Sequence, residues 1–393
     1  MRVAWIPPHF EYGERVFFPY SFDIARRLAQ RGVKVVIIAP RAFKEPSYEV
    51  IEGIEIFRSK DIALPFKLFH YPIPLLLSTK IIHVVRELDI DVLNWHGYHY
   101  LSAATLPLIK RNLKIPCVLT VIGFPGVTWH YPIKTIDYIT RMYAYSIGKI
   151  ILNSADKVII DFPHNTDGAR KLGLRDDKLE YIPLGIDTQF FKPIPEKRSE
   201  MRSHLGLKED HFVIGYCGRL SPVKGIDTIF KAMQLIINRY DKVHLLIIGG
   251  GGSGLGGDAY AKEAHTLLGD KVTITGWMTT NDVLFYMQAA DVAVQPSFAE
   301  AGGGAVMEWS ACGLSVIASR TGGLQDLVMD NITGFLIEPG DSEGLSQRIM
   351  ELIENQSLRK EMGEAGRNRM VENYSWDEIV EKYLKVYSNL IQK

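Results

Sequence analysis

Two glutamates with seven residues between them, Glu300 and Glu308, bracket three consecutive glycines in the stretch Gln-Pro-Ser-Phe-Ala-Glu-Ala-Gly-Gly-Gly-Ala-Val-Met-Glu-Trp-Ser-Ala-Cys-Gly, residues 295–313. A strand ending near Ser297, then the glycines, then a short helix closed by Gly313 would place Glu300 in a turn and Glu308 inside the helix. Both carboxylates can then face one pocket. Gly302, Gly303 and Gly304 let backbone approach a ligand closely and leave unpaired amides at a helix N-terminus, where the macrodipole favours oxygen-rich or anionic groups. Carboxylates beside such amides accept hydroxyl protons well, so the pair reads as a grip on a polyol. The bland alternative is a glycine loop and an amphipathic helix with one solvated glutamate.

A second cluster is Gly218-Arg219-Leu220-Ser221-Pro222-Val223-Lys224-Gly225, between a predicted strand and a predicted helix. Arg219 and Lys224 would project from a loop at a strand's carboxyl end and bracket a diphosphate. Fixed cations there stabilise charge that develops on a departing diphosphate without a metal. Thr275-Gly276-Trp277-Met278 follows another strand, and its position suggests a main-chain contact with a nucleobase; Trp277 equally suits a core or rim aromatic. His96, at the end of a predicted strand, would orient a substrate or serve structure alone.

Taken together, these segments resemble glycosyltransferase family 4, the group 1 glycosyltransferases. The stretch from Glu300 to Glu308 is similar to the family's Glu-x7-Glu signature, and Gly218, Arg219, Leu220, Lys224 and Gly225 match its phosphate-binding element. His96 resembles the family's His after the preceding strand, and Thr321-Gly322-Gly323 with Asp326 resembles its Gly-Gly…Glu turn, with Asp for Glu. The resemblance implies a GT-B fold and retaining transfer, often described as front-face, with the leaving phosphate taking the acceptor proton. It also implies that Glu300 contacts the donor sugar and Glu308 the nucleotide ribose. Two positions depart from the pattern. Gly13 stands alone where the family has a glycine pair, and Ile122-Gly123 occupies the place of a common His.

Composition agrees. A chain of 393 residues is long enough for two cores, and 47% hydrophobic with 23% charged residues is ordinary soluble protein. A formal net charge of zero argues against bulk affinity for nucleic acid. Cys117, Cys217 and Cys312 lack paired spacing and read as reduced core thiols in a cytoplasmic protein. The opening residues read as a first strand rather than a signal peptide. The longest apolar region, residues 62–85, is interrupted by Lys67, His70, Pro72, Pro74 and Lys80, so it does not span a bilayer. A loop and helix is the favoured reading there, and an exposed lip for a lipid-linked acceptor the alternative.

These groups must be held by two series of alternating strands and helices. Strands are expected at 3–6, 33–39, 91–95 and 116–122, and again at 212–215, 243–248, 272–275, 291–294, 315–318 and 334–337. The fold class is therefore α/β, two doubly wound Rossmann-like domains facing across a cleft, with ligands at the carboxyl ends of the strands. The expected boundaries are an acceptor-side domain of 1–190, joined by a returning helix of about 375–393, and a nucleotide-sugar domain of 191–374. The glycine run at 249–257 satisfies a dinucleotide fingerprint in more than one register, but low-complexity glycine satisfies almost any such pattern. Asp89-Ile90-Asp91 matches a metal-binding D-x-D yet precedes a strand, and no required metal is expected.

The expected function is a retaining, metal-independent hexosyltransferase using a UDP- or GDP-sugar as donor substrate, with no tightly bound cofactor. Arg219, Lys224, Glu300 and His96 are its catalytic candidates; Gly218, Trp277, Met278, Gly302, Gly303, Gly304 and Glu308 are its donor-binding candidates. The acceptor is a glycan, a lipid-linked sugar or a small molecule, and no nucleic-acid partner is expected. The expected location is cytoplasmic, with peripheral contact at the inner membrane face left open. An inactive sugar-nucleotide-binding protein and an NAD-dependent oxidoreductase are the alternatives.

Overall fold

Strands form where aliphatic residues run almost uninterrupted, as parallel sheets covered on both faces require. The computed structural model describes residues 1–8, 19–41, 45–60, 76–128, 134–251, 257–300 and 302–392. It divides into two compact units, Met1–Gly185 with Trp376–Lys393, and Ile186–Ser375.

The first unit holds β1 (Arg2–Ile6), β2 (Lys34–Pro40), β3 (Tyr48–Ile51), β4 (Ile54–Ser59), β5 (Val92–His96), β6 (Cys117–Val121), β7 (Lys157–Ile160) and β8 (Leu179–Tyr181). They form one sheet in the order β3-β4-β2-β1-β5-β6-β7-β8, parallel except for the β3–β4 hairpin. Strand alternation divides β1 between two cores: Ala4 and Ile6 join one cluster, Val3 and Trp5 the other. The second cluster is closed by the helix Trp376–Ile391, which buries Trp376, Ile379, Val380, Tyr383 and Tyr387. Tyr387 accepts a hydrogen bond from the Asn94 amide at 3.0 Å. At Gly185 an added Cβ would lie 2.5 Å from the Trp376 ring, so glycine is what lets the returning helix seat.

The second unit holds β9 (Phe212–Cys217), β10 (Val243–Ile248), β11 (Val272–Ile274), β12 (Val292–Gln295), β13 (Ser315–Ser319) and β14 (Gly334–Ile337), all parallel, in the order β11-β10-β9-β12-β13-β14. Strand order therefore reverses between β1 and β5 in the first sheet and between β9 and β12 in the second. Crevices at such reversals, outside the carboxyl ends, are where open α/β sheets bind ligands.

Four strands of the first sheet go beyond the expected series. β3 and β4 carry Glu49, Glu55 and Arg58, which break the apolar run, and β7 and β8 are only four and three residues long. Asp89 and Asp91 hold structure: Asp89 closes the helix Leu77–Leu88 in a left-handed conformation, and the Asp91 carboxylate accepts from the Arg2 amide at 2.7 Å. Residues 61–75 of the apolar region, 252–256 of the glycine run, and Gly13 lie outside the described residues. Among the described residues no helix is long and apolar enough to cross a membrane, and no group of three His, Cys, Asp or Glu is placed to hold a metal.

Candidate active site

The loops after β9 and β12 flank the reversal of the second sheet, and backbone contacts stitch them together. After β9 the Gly218 amide donates to the Ile248 carbonyl at 2.9 Å, and the Tyr216 hydroxyl donates to the Arg219 carbonyl at 2.9 Å. A single 3-10 turn, Pro222–Lys224, ends at Gly225, whose φ of 70° is the left-handed region that favours glycine. An added Cβ at Gly225 would lie 1.9 Å from the Pro296 carbonyl oxygen. The Phe298 amide then donates to the Val223 carbonyl at 2.8 Å, locking the β12 loop onto the β9 loop.

This contact brings the two expected chemical groups face to face. Lys224 Nζ lies 2.5 Å from Glu300 Oε2, with both side chains about 15% exposed. The same carboxylate oxygen is 3.4 Å from the Ser297 hydroxyl, which accepts from the Gln295 amide at 3.0 Å. Ser297 and Gln295 are buried and were not foreseen; a polar pair closing an otherwise apolar strand is the signal that points to them. From below, Gly322 supports the turn: the Gly323 amide donates to the Glu300 carbonyl at 3.3 Å, and a Cβ at Gly322 would sit 1.7 Å from that oxygen. Gly322→Ala, at a φ of 48°, is therefore expected to push Glu300 away from Lys224 and lower turnover about tenfold or more, because misplacements near 1 Å are costly. Steady-state kinetics beside a thermal melt checks this, and unchanged turnover would show that the turn does not set the geometry.

Gly303 caps the helix Gly304–Ala311 with a φ of 71°. The first amides of that helix have no intrahelical acceptor. Glu308 stands one turn in, half-buried, its carboxylate without a hydrogen-bond partner among the described residues. Burial pushes its carboxyl up to about 7. Trp309 anchors the same helix on β9, where a Cβ at Gly215 would lie 2.6 Å from its ring. Arg219 is exposed, with no side-chain hydrogen bond among the described residues. Trp277 is 62% exposed after β11, which favours the rim reading over the core one, and Met278 beside it is half-buried. The preceding Gly276 bridges to Gly249, whose amide also donates to Thr275 Oγ1 at 3.2 Å.

In the first unit His96 ends β5 with 4% exposure, its ring 4.5 Å from that of Trp5. Burial holds its imidazole down at about 3, so it is neutral at physiological pH. Two further groups of this unit, His99 half-buried and Asp161 buried, escaped the sequence reading. His99, just past β5, is held down at about 4 by burial. Asp161, just past β7, accepts from Asn165 at 2.8 Å and is pushed up to about 6, again by burial. All three cysteines are free; Cys117 and Cys312 are buried, and Cys217 is half-buried.

The chain matches two family models, one described as Glycosyltransferase Family 4 over residues 20–190 and one described as Glycosyl transferases group 1 over residues 197–369. It is 30% identical over 396 residues to a D-inositol 3-phosphate glycosyltransferase of Salinispora arenicola, covering 95% of this chain and 86% of that protein. It is 33% identical to a GDP-mannose-dependent alpha-(1-6)-phosphatidylinositol monomannoside mannosyltransferase of Mycobacterium tuberculosis over 212 residues, 52% of this chain and 54% of the other. Among solved structures, the sucrose-phosphate synthase of Thermosynechococcus elongatus superposes with a TM-score of 0.77 at 24% identity, covering 100% of this chain and 99% of that one.

Proposed function

The chain belongs to the group 1 glycosyltransferases of family 4, with their GT-B fold, and on that premise we propose that this glycosyltransferase is a retaining enzyme taking its sugar from a nucleoside-diphosphate donor bound on the second unit. The observation that carries this reading is the junction of the β9 and β12 loops, where Lys224 meets Glu300 at the reversal of strand order.

Arg219 and Lys224 stabilise the departing diphosphate, and Glu300 with the amides around Gly303 holds hydroxyls of the donor sugar. Glu308 accepts the ribose diol, for which its unpartnered carboxylate is suited. Gly218, Trp277 and Met278 border the nucleotide, chiefly through main chain. His96, buried and neutral, orients rather than transfers a proton. As the bond from the anomeric carbon to phosphate breaks, the acceptor oxygen bonds the same face of that carbon, and a phosphate oxygen takes the acceptor's proton. Charge that appears on phosphate is met by fixed cations, which need no reorganisation at that moment.

Calorimetric titration with UDP, GDP, ADP and NAD tests the reading. One diphosphate is expected to bind, more weakly in Glu308→Ala. NAD binding, or no diphosphate binding, would overturn the assignment of the two glutamates.

For the acceptor, we favour a lipid-linked sugar or polyol presented at an anionic membrane surface. The helix Lys134–Tyr143 has no buried side chain, and with residues 144–150 it exposes Tyr138, Ile139, Met142, Tyr145, Ile147 and Ile150 beside Lys134, Arg141 and Lys149. Apolar and aromatic groups interleaved with cations suit the boundary between headgroups and acyl chains. Anionic vesicles are expected to carry the protein upward in a flotation gradient, and Ile139→Glu with Ile150→Glu to release it. Equal flotation of the double variant would remove this face from consideration.

A further inference from the structure

A cavity of about 420 Å³ lies within the second unit at the end of the sheet opposite the donor loops. Its floor is the start of β12 and β13, at Asp291 and Ser315, and its walls are the segment Pro193–Arg198 and the first turn of the helix Gln356–Arg369. The lining carries three cations, Arg198, Arg359 and Lys360, and one carboxylate, Asp291.

That carboxylate is already engaged. Its two oxygens accept from Arg198 and Arg202, each at 2.6 Å, and the second also accepts from the Val213 amide at 2.7 Å. Arg359 and Lys360 are left without a carboxylate partner among the described residues. Arg359 donates to the Leu352 carbonyl and lies over the Phe212 ring at 5.0 Å. Burial, and then the nearness of Arg198 and Arg202, hold its guanidinium below the ordinary value despite Asp291. Lys360 is exposed, and its side chain makes no hydrogen bond among the described residues. Ser315 is 1% exposed, and its hydroxyl has no hydrogen-bond partner among the described residues. The helix of Gln356 begins at the same cavity, so its positive end adds to the field, while the side chain of its cap residue Asn355 accepts from the Leu358 amide at 3.0 Å.

Surplus cations, a buried hydroxyl without a partner and a helix start are the donors that a phosphate group uses. The volume exceeds what one phosphate fills and falls within the range of small-molecule sites, roughly 300–1,000 Å³. We propose that this cavity is a second anion site, which binds a small phosphate-bearing ligand independently of the donor.

The test is calorimetry on the full chain with the donor site filled by saturating UDP and GDP, using inorganic phosphate and glycerol 3-phosphate as probes. At least one is expected to bind, and Lys360→Glu to weaken it about tenfold or more, while Arg219→Ala leaves it unchanged. The Lys360 side chain is exposed and makes no hydrogen bond among the described residues, so its reversal tests the charge without breaking the fold; Arg359→Gln provides the stronger lesion, with a thermal melt as its control. No binding of either probe overturns the proposal. So does binding that Arg219→Ala abolishes, which places the anion in the donor site, or binding that survives Lys360→Glu and Arg359→Gln, which makes it an adventitious ion only.

Discussion

A Lys224→Ala variant is expected to lose roughly 10²–10³-fold in kcat while donor KM changes by less than about threefold, the pattern of a group that acts on transition-state charge. Lys224 is held on a rigid 3-10 turn, its neighbour Gly225 is pressed onto Pro296, and its ammonium is already in place before any phosphate arrives. Glu300 fixes that position at 2.5 Å, and partial burial makes the contact worth more than a surface pair. The complication is that truncating Lys224 also frees Glu300. A double-mutant cycle with Glu300→Gln separates the two effects: if Lys224 only restrains Glu300, adding Lys224→Ala to Glu300→Gln costs nothing further. A KM effect without a kcat effect would transfer the lysine to ground-state binding.

Glu308→Ala is expected to do the reverse, raising donor KM roughly 10–100-fold through loss of two charge-assisted hydrogen bonds to a diol, with kcat little changed. The pH dependence sharpens this. Burial pushes the Glu308 carboxyl up to about 7, and only its ionised form accepts from both ribose hydroxyls. Donor affinity should therefore be highest above about pH 7 and weaken as pH falls below it, whereas Glu308→Gln gives weaker but nearly pH-independent binding. The linkage to stability has the opposite sign. A carboxyl that holds its proton more tightly folded than unfolded disfavours the folded state progressively from about pH 4.5 to about pH 7 and by a constant amount above. Without nucleotide, Glu308→Gln should then melt higher than the parent at pH 8 and nearly level with it at pH 4. A flat donor-affinity profile in the parent protein would place Glu308 outside the ribose contact.

Much of this arrangement was legible in the chain because parallel strands announce themselves. Val243–Ile248 and Ser315–Ser319 are buried along their whole length, and runs of that kind need no partner to be recognised. The β3–β4 hairpin was not legible, since its strands are short, each sets a glutamate among its apolar residues, and they pair with each other and with β2. The same divide runs through the site. Lys224 and Glu300 were recognisable by type and by flanking glycines, whereas their contact depends on Gly225 and Gly322 admitting carbonyl oxygens from loops 71 and 22 residues away in sequence. Backbone approach at that separation leaves no local pattern. His96 was recognisable by its place at a strand end, but its burial against Trp5 comes from packing that involves the returning helix.

That returning helix makes the two units unequal in time. Residues 186–375 are one unbroken segment, and everything their core needs has been synthesised by the time Ser375 is added. The first unit is interrupted: its Val3, Trp5 and Ile37 face waits for Trp376, Ile379 and Tyr383, which reach it only after all of the second unit has left the ribosome. The usual order, in which N-terminal domains finish first during synthesis, is thereby inverted. The sheet that begins the chain is the one completed later, and until then its open apolar face is a surface that chaperones would occupy.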